Sequence, residues 1–132
     1  MNVIRFNSRC YAATAAFLAT TSLPWAPAPD DETVSFAKDI QPILEVSCLE
    51  CHEDSDPSSG LVLTSVAAMK KGGKRGAAVA PGSPEDSLML LFMKGLREPQ
   101  MPPENRLSPE QIALFERWIK QGAKDDSRPN RP

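Results

Sequence analysis

The sequence is poor in the side chains that form disulfides or bind transition metals: its 132 residues include three cysteines and one histidine. Cys10 lies close to the N-terminus, in a segment that we expect to be removed, so only Cys48 and Cys51 remain in the mature chain. One pair of cysteines excludes a disulfide framework, which needs several pairs. A zinc site needs four ligands, and the two cysteines with His52 fall one short unless a carboxylate contributes.

Long apolar runs are also missing, including at the N-terminus. Residues 1–9 carry two arginines and no acid, and residues 10–23 form a short, moderately apolar run that contains several threonines. A bilayer-spanning helix takes roughly 20 apolar residues, so this run is more typical of a signal peptide. We predict a signal peptide at residues 1–28, with its cleavage point left open, and export to the periplasm or an equivalent compartment. An amphipathic N-terminal helix is the alternative, and we expect membrane contact only if the segment is retained.

The sequence lacks the excess of positive charge and the interleaved aromatic residues that are typical of nucleic-acid-binding proteins. Without Arg5 and Arg9 of the predicted signal, 13 of the 15 basic side chains remain against 17 acidic ones, a net charge near −4. One basic cluster occurs in residues 70–76, where three glycines separate the charges and no aromatic residue is near in the sequence. We predict a solvated, flexible loop there and no nucleic-acid partner. A docking patch for an acidic redox partner is the alternative.

The first helix is predicted to run from about Ile40 into the cysteines. Apolar residues fall on one helical face at Phe36, Ile40, Ile43, Leu44 and Cys48. With Asp39 as the N-cap, Pro42 would lie in the first turn, where its missing N–H removes no intrahelical bond.

Three later segments carry helix-start signals. Ser65 is predicted to cap a short helix through Met69. Residues 83–86 (SPED) combine a cap, a first-turn proline and two acids, and the predicted buried stripe that follows is Leu88, Leu91 and Phe92. Residues 108–111 (SPEQ) form a capping box, and the apolar face of that helix is predicted at Ile112, Phe115, Trp118 and Ile119, with Gly122 as its stop.

The domain organisation follows from this pattern. No strand-period segment of useful length occurs, so the fold class is mainly α. We predict the helical domain at residues 36–124, after an acidic, proline-rich linker at residues 29–35 and before a disordered polar tail at residues 125–132.

The motif that carries chemistry is Cys48-Leu49-Glu50-Cys51-His52, which has the C-x-x-C-H spacing of covalent haem attachment. Two thiols about one helical turn apart can add to the two vinyl groups on one edge of a porphyrin, and the adjacent imidazole is then held under the iron. A thioredoxin-like redox pair would follow a strand, whereas a helix is predicted to precede these cysteines. We therefore predict one haem c per chain, attached through Cys48 and Cys51, with His52 as the proximal iron ligand.

The sixth ligand of the iron is predicted to be Met101. Pro102 favours an extended backbone at Met101, so the loop can present a thioether free of a helix. Met89 and Met93 lie one turn apart on a predicted helix, where methionines are more often core residues. Met69 precedes a glycine-rich segment and is less well placed; core packing is the alternative for Met101 itself.

At these residues the sequence resembles the planctomycete-type cytochrome c domain family, a branch of the class I c-type cytochromes. The matching segments span most of the predicted mature chain: residues 36–44 (FAKDIQPIL), the C-x-x-C-H motif, Gly60-Leu61, residues 80–88 (APGSPEDSL), Met101-Pro102-Pro103 and residues 118–123 (WIKQGA). The resemblance implies a small class I cytochrome c-like helical fold around one haem c, with His52 proximal and Met101 distal. The chain departs from the family at Glu53, where glycine is common, and at Val62 and Thr64, where arginine and aspartate are frequent.

These observations predict an electron-transfer protein rather than an enzyme. Iron bound by His52 and Met101 has no open position, and methionine ligation raises the reduction potential, which suits one-electron transfer to redox partner proteins. A catalytic haem usually needs a distal acid or base, but His52 is the only histidine and the only tyrosine, Tyr11, lies in the predicted signal. A peroxidase-like enzyme and a haem-based gas or redox sensor are the alternatives.

Overall fold

The computed structural model describes residues 32–127. Within this range the chain forms helices α1 (Gln41–Ser47), α2 (Leu49–His52), α3 (Val66–Lys71), α4 (Leu88–Met93) and α5 (Pro109–Lys120). A π-helical turn, Phe36–Ile40, leads into α1, and 3-10 turns lie at Ser58–Gly60 and Pro84–Asp86. No β-strand occurs between residues 32 and 127, so the prediction of a mainly helical fold is confirmed. The predicted signal peptide, with Cys10, lies outside the described residues.

None of the helices in this described range is both long enough and apolar enough to cross a membrane.

The first helical segment begins earlier than predicted, and Asp39 is not its N-cap. Ser35 is the cap: its Oγ accepts a hydrogen bond from the Lys38 N–H, and its own N–H donates to Asp39 Oδ2 at 2.8 Å. The backbone then makes a wide π turn before α1, with the Gln41 N–H donating to the Phe36 carbonyl. Pro42 explains this start, because its ring cannot donate to the carbonyl four residues earlier and crowds it, which the wider turn relieves.

Helices α3 and α5 begin at the predicted caps. Ser65 Oγ accepts from the Ala68 N–H, and α3 continues to Lys71, two residues beyond the predicted end. At the start of α5, Ser108 and Gln111 form the predicted capping box, with each side chain accepting from the backbone N–H of the other. Serine caps satisfy N–H groups that have no partner inside the helix, and this is why Ser65 and Ser108 mark both helix starts in the sequence.

The buried face of α4 differs from the prediction. Met89, Leu90 and Met93 are buried, whereas Leu88, Leu91 and Phe92 are only partly buried. Residues 84–86 form a separate 3-10 turn, and α4 starts afresh at Leu88 after Ser87. The SPED segment therefore does not begin α4.

The core lies where α5 packs on the π turn and on α4. Phe115, Trp118 and Ile119 of α5 are fully buried, as predicted, and Ile112 is partly buried. The Trp118 ring packs 5.5 Å, centroid to centroid, from the ring of Phe36. Its indole N–H donates to the Lys124 carbonyl at 3.0 Å, so the polar edge of this large side chain is satisfied.

Both ends of the described chain are tied to α5 or to the π turn. Val34, which the sequence places in the linker, is buried, and its N–H donates to Gln121 Oε1 at 2.9 Å. Asp126, in the predicted tail, accepts from the Ala37 N–H at 2.9 Å. Hydrogen bonding with the Ser35 side chain, and then with the Ala37 N–H, lowers the pKa of Asp126. The two ends of the described range thus lie close to the start of the first helical segment.

Candidate functional site

A cavity of about 560 Å³ opens beside helix α2. Its volume lies within the roughly 300–1,000 Å³ typical of cofactor sites. All four predicted site residues line it: Cys48, Cys51, His52 and Met101. Most of the remaining lining is apolar and comes from five separate parts of the chain: Val46; Leu61 and Leu63; Ala78; Leu88, Met89, Phe92 and Met93; Pro99, Pro102 and Pro103. The chain therefore brings its scarce soft and imidazole ligands to one apolar cavity.

The C-x-x-C-H motif begins at the junction of α1 and α2. The Cys48 N–H donates to the Leu44 carbonyl at 2.8 Å and ends α1. The Cys48 carbonyl then accepts from the N–H groups of both Cys51 and His52, at 3.2 and 3.1 Å. This single tight turn holds the three functional side chains of the motif together at the cavity.

The two cysteines are free thiols in different environments. Cys48 is partly buried and packs against the core, whereas Cys51 is exposed. Burial raises the pKa of the Cys48 thiol to about 11, because desolvation disfavours the thiolate. At neutral pH the Cys48 side chain is therefore a neutral thiol, which is the less nucleophilic form.

The orientation of His52 is set by a backbone carbonyl that the sequence analysis did not identify. His52 Nδ1 lies 3.0 Å from the Leu61 oxygen. Since a carbonyl can only accept, Nδ1 carries the hydrogen, and the lone pair of the neutral ring is on Nε2. The Leu63 N–H donates to the His52 carbonyl at 2.9 Å, so residues 61–63 hold both the ring and the backbone of His52. This arrangement suits metal ligation through Nε2, with Nδ1 bonded to a second group.

Three of the four candidate methionine ligands line the cavity. Met89 and Met93 come from α4 and also belong to the buried core, whereas Met101 comes from the loop after α4 and is partly exposed. Met69 is fully buried in the core and does not line the cavity. Met101 therefore remains the predicted distal ligand: its side chain is on a loop that faces the cavity and is not packed into the core.

The Met101 loop is anchored to α4 by its backbone and by the Gln100 side chain. The Met101 N–H donates to the Phe92 carbonyl at 3.1 Å, and Gln100 Nε2 donates to the Met93 carbonyl at 3.0 Å. These bonds also satisfy carbonyl groups at the end of α4, which have no partner within the helix. The position of Met101 is thus tied to the end of α4.

The basic glycine-rich segment is held in place by backbone bonds, contrary to the prediction of a flexible loop. Gly73 and Gly76 pair with each other through both backbone groups, and the Lys74 N–H donates to the Ser59 carbonyl at 3.0 Å. A Cβ at Gly73 would lie 2.8 Å from the Ser59 oxygen, so glycine is required for this close approach. Residues 73–76 therefore form part of the cavity lining.

Sequence reasoning also missed the aromatic partner of this segment. Arg75 lies over the Phe92 ring, with its Cζ 5.1 Å from the ring centroid. The two residues are 17 positions apart, so a search for neighbouring aromatics in the sequence could not find the contact. The glycines were the only local signal that this segment packs closely on its neighbours, because glycine permits tight turns and close backbone contacts.

Comparison with known proteins gives one family and one solved structure. No curated protein sequence matches the chain significantly. The solved structure of Kuenenia stuttgartiensis hydrazine synthase is similar to it, with 27% sequence identity over 74% of this chain and a TM-score of 0.49. This chain spans 17% of the length of that protein chain. Residues 48–105, which include the two cysteines, His52 and Met101, match the family model of Planctomycete cytochrome C, a family that implies covalently bound haem c. This match confirms the resemblance seen in the sequence.

Proposed function

We propose that this protein is a mono-haem c-type cytochrome that transfers single electrons, either as a free carrier or as a subunit of a larger complex. The observation that carries the proposal is the shared cavity, to which the C-x-x-C-H motif contributes two thiols and an imidazole and the loop after α4 contributes a thioether. Haem bound there supplies an iron that alternates between Fe(III) and Fe(II) by gain and loss of one electron.

The two cysteines would attach the cofactor. Cys48 and Cys51 each supply a thiol that adds across one vinyl group, with sulfur bonding to one vinyl carbon and the thiol hydrogen passing to the other. The Cys48 carbonyl accepts from the N–H groups of Cys51 and His52, so the second thiol and the imidazole are positioned by one turn. Attachment therefore makes binding of the proximal ligand intramolecular.

His52 and Met101 would bind the iron. The hydrogen bond from His52 Nδ1 to the Leu61 carbonyl orients the ring, leaves Nε2 for the metal and increases its basicity. Met101 would complete the coordination, and a thioether ligand in a mostly apolar cavity favours the reduced state. Such a site suits electron transfer because no position is left for a substrate.

A catalytic haem would require a proton-transferring group in the cavity. Among the described residues, the carboxylates that line it are Glu50 and Glu104, and both are exposed to solvent. An exposed carboxylate exchanges protons with bulk solvent and lacks the burial by which enzymes tune a catalytic acid or base. This favours electron transfer over peroxidase-like chemistry.

Export to the periplasm or an equivalent compartment, and exchange of electrons with redox partner proteins, belong to the same proposal. The support for export is the basic, moderately apolar start of the sequence. Fractionation of cells that express the full chain, with detection of haem in the extracytoplasmic fraction, tests it.

The direct test is expression of the full chain with a haem-maturation system. We expect a pyridine haemochrome spectrum of c-type haem at one per chain, a methionine-to-iron charge-transfer band in the oxidised protein and reversible one-electron titration. Replacing both Cys48 and Cys51 with alanine should abolish attachment. A mature chain without c-type haem would refute the proposal. Water-ligated ferric haem with peroxide turnover would replace it with peroxidase-like function, and carbon monoxide binding without turnover would favour a sensor.

A further inference from the structure

Arg75 contacts two segments that lead to Met101. Its Nη1 donates to the Glu98 carbonyl at 3.0 Å, three residues before Met101. Its guanidinium lies over the ring of Phe92, the residue whose carbonyl accepts the Met101 N–H. One side chain therefore contacts both the loop that carries Met101 and the helix to which that loop is bonded.

The segment that carries Arg75 is itself anchored on the other side of the cavity. The Lys74 N–H donates to the Ser59 carbonyl, and Ser59 lies two residues before Leu61, the residue that orients His52. The backbone pairing of Gly73 with Gly76 holds the turn. Arg75 thus extends from a fixed turn and connects the histidine side of the cavity to the methionine side.

Arginine is suited to this double contact. Its flat guanidinium can stack on an aromatic face while its N–H groups donate in the ring plane. A lysine ammonium is a single point charge, so it cannot lie flat on Phe92 and donate to Glu98 in the same geometry.

We propose that Arg75 is a positioning residue that holds the loop of residues 98–101 against α4 and so keeps Met101 on the iron. This inference rests on the proposed function, since it takes Met101 as the distal ligand. Loss of Arg75 leaves the loop held to α4 by the Met101 N–H and the Gln100 side chain, and the fraction of molecules in which Met101 has left the iron increases.

Imidazole binding to the oxidised holoprotein measures that fraction. Imidazole must displace Met101, so its apparent affinity rises in proportion to the population with Met101 dissociated. One hydrogen bond and one exposed cation–π contact together predict that Arg75→Gln tightens imidazole binding about tenfold. The charge-transfer band should weaken, and amide hydrogen exchange at Met101 should accelerate.

Arg97→Gln is the matched control, because Arg97 is exposed, lies next to the same loop and does not line the cavity. It removes the same charge and should leave imidazole affinity unchanged. Arg75→Lys retains the charge without the stacked geometry and should tighten imidazole binding in the same direction as Arg75→Gln. It also provides the measurement if Arg75→Gln fails to fold or to load haem.

The outcomes separate this inference from the proposed function. A wild-type holoprotein without the methionine-to-iron band would overturn Met101 as the distal ligand, and the role of Arg75 with it. A wild-type protein with the band, in which both Arg75 variants bind imidazole as Arg97→Gln does, would overturn the role of Arg75 alone. Tighter imidazole binding with faster exchange at Met101, confined to the Arg75 variants, would support it.

Discussion

Replacing Gly73 with alanine tests whether the basic glycine-rich segment supports the ligand His52. The new Cβ would lie 2.8 Å from the Ser59 oxygen and 2.9 Å from the Leu61 nitrogen, and both are backbone atoms that cannot rotate away. Residues 59–61 must therefore shift, although the Leu61 carbonyl accepts from His52 Nδ1. Overpacking costs about 1–3 kcal/mol, and weakening one hydrogen bond adds about 1 kcal/mol. We expect a loss of about 2–4 kcal/mol in the free energy of unfolding.

The assay combines urea unfolding of the holoprotein with its reduction potential. Displacing the Leu61 carbonyl makes the imidazole a weaker donor, so ferric iron is stabilised less and the potential should rise. Gly82→Ala is the control: its φ of +83° makes alanine unfavourable, but no atom lies within 4 Å of the added Cβ. It should cost about 1–2 kcal/mol without changing the potential. If Gly73→Ala is no more destabilising than Gly82→Ala and leaves the potential unchanged, the support of His52 by this segment is refuted.

Three further predictions concern the methionines, the chain end and the thiols. Met101→Ala should remove the methionine-to-iron band and lower the reduction potential. Met69→Leu, a volume-conserving change in the core, should preserve both. An unchanged spectrum of Met101→Ala would exclude Met101 as a ligand. Asp126→Ala should lower the free energy of unfolding above about pH 4. Because the pKa of Asp126 is lower in the folded state, the stabilisation by its carboxylate is lost as the pH falls through that folded value. The urea unfolding curves of mutant and wild type should therefore converge in acid. A difference in stability that persists in acid would contradict this. In the haem-free chain, iodoacetamide at pH 8 should alkylate the exposed Cys51 before Cys48, whose pKa is raised to about 11; equal rates in peptide mass spectrometry would show that Cys48 is not buried.

Much of the local structure could be predicted because it depends on residues within one helical turn. Ser65 and Ser108 each cap an N–H group three residues away, so their effect can be predicted from spacing alone. The C-x-x-C-H motif is local in the same sense. Its two thiols and its imidazole are brought together by bonds to the single carbonyl of Cys48.

The errors arose where two local signals competed. Asp39 and Ser35 are both good caps, and the crowding caused by Pro42 favours a wide turn that starts at Ser35. In α4 the apolar residues Leu88 to Met93 are continuous, so periodicity alone does not identify the buried face. In the folded chain Met89, Leu90 and Met93 are buried instead of the predicted set, which only the tertiary packing of α4 decides.

By itself, the sequence determined the helical class, two of the helix starts and the chemistry available for a haem: a pair of thiols, one imidazole and a few thioethers. The tertiary structure alone decided how those groups are oriented. The carbonyl that directs His52 lies nine residues away, and the guanidinium beside the Met101 loop lies 23 residues from the carbonyl it contacts. Contacts over such separations depend on how the whole chain packs, because no local spacing rule determines which distant backbone group a side chain meets.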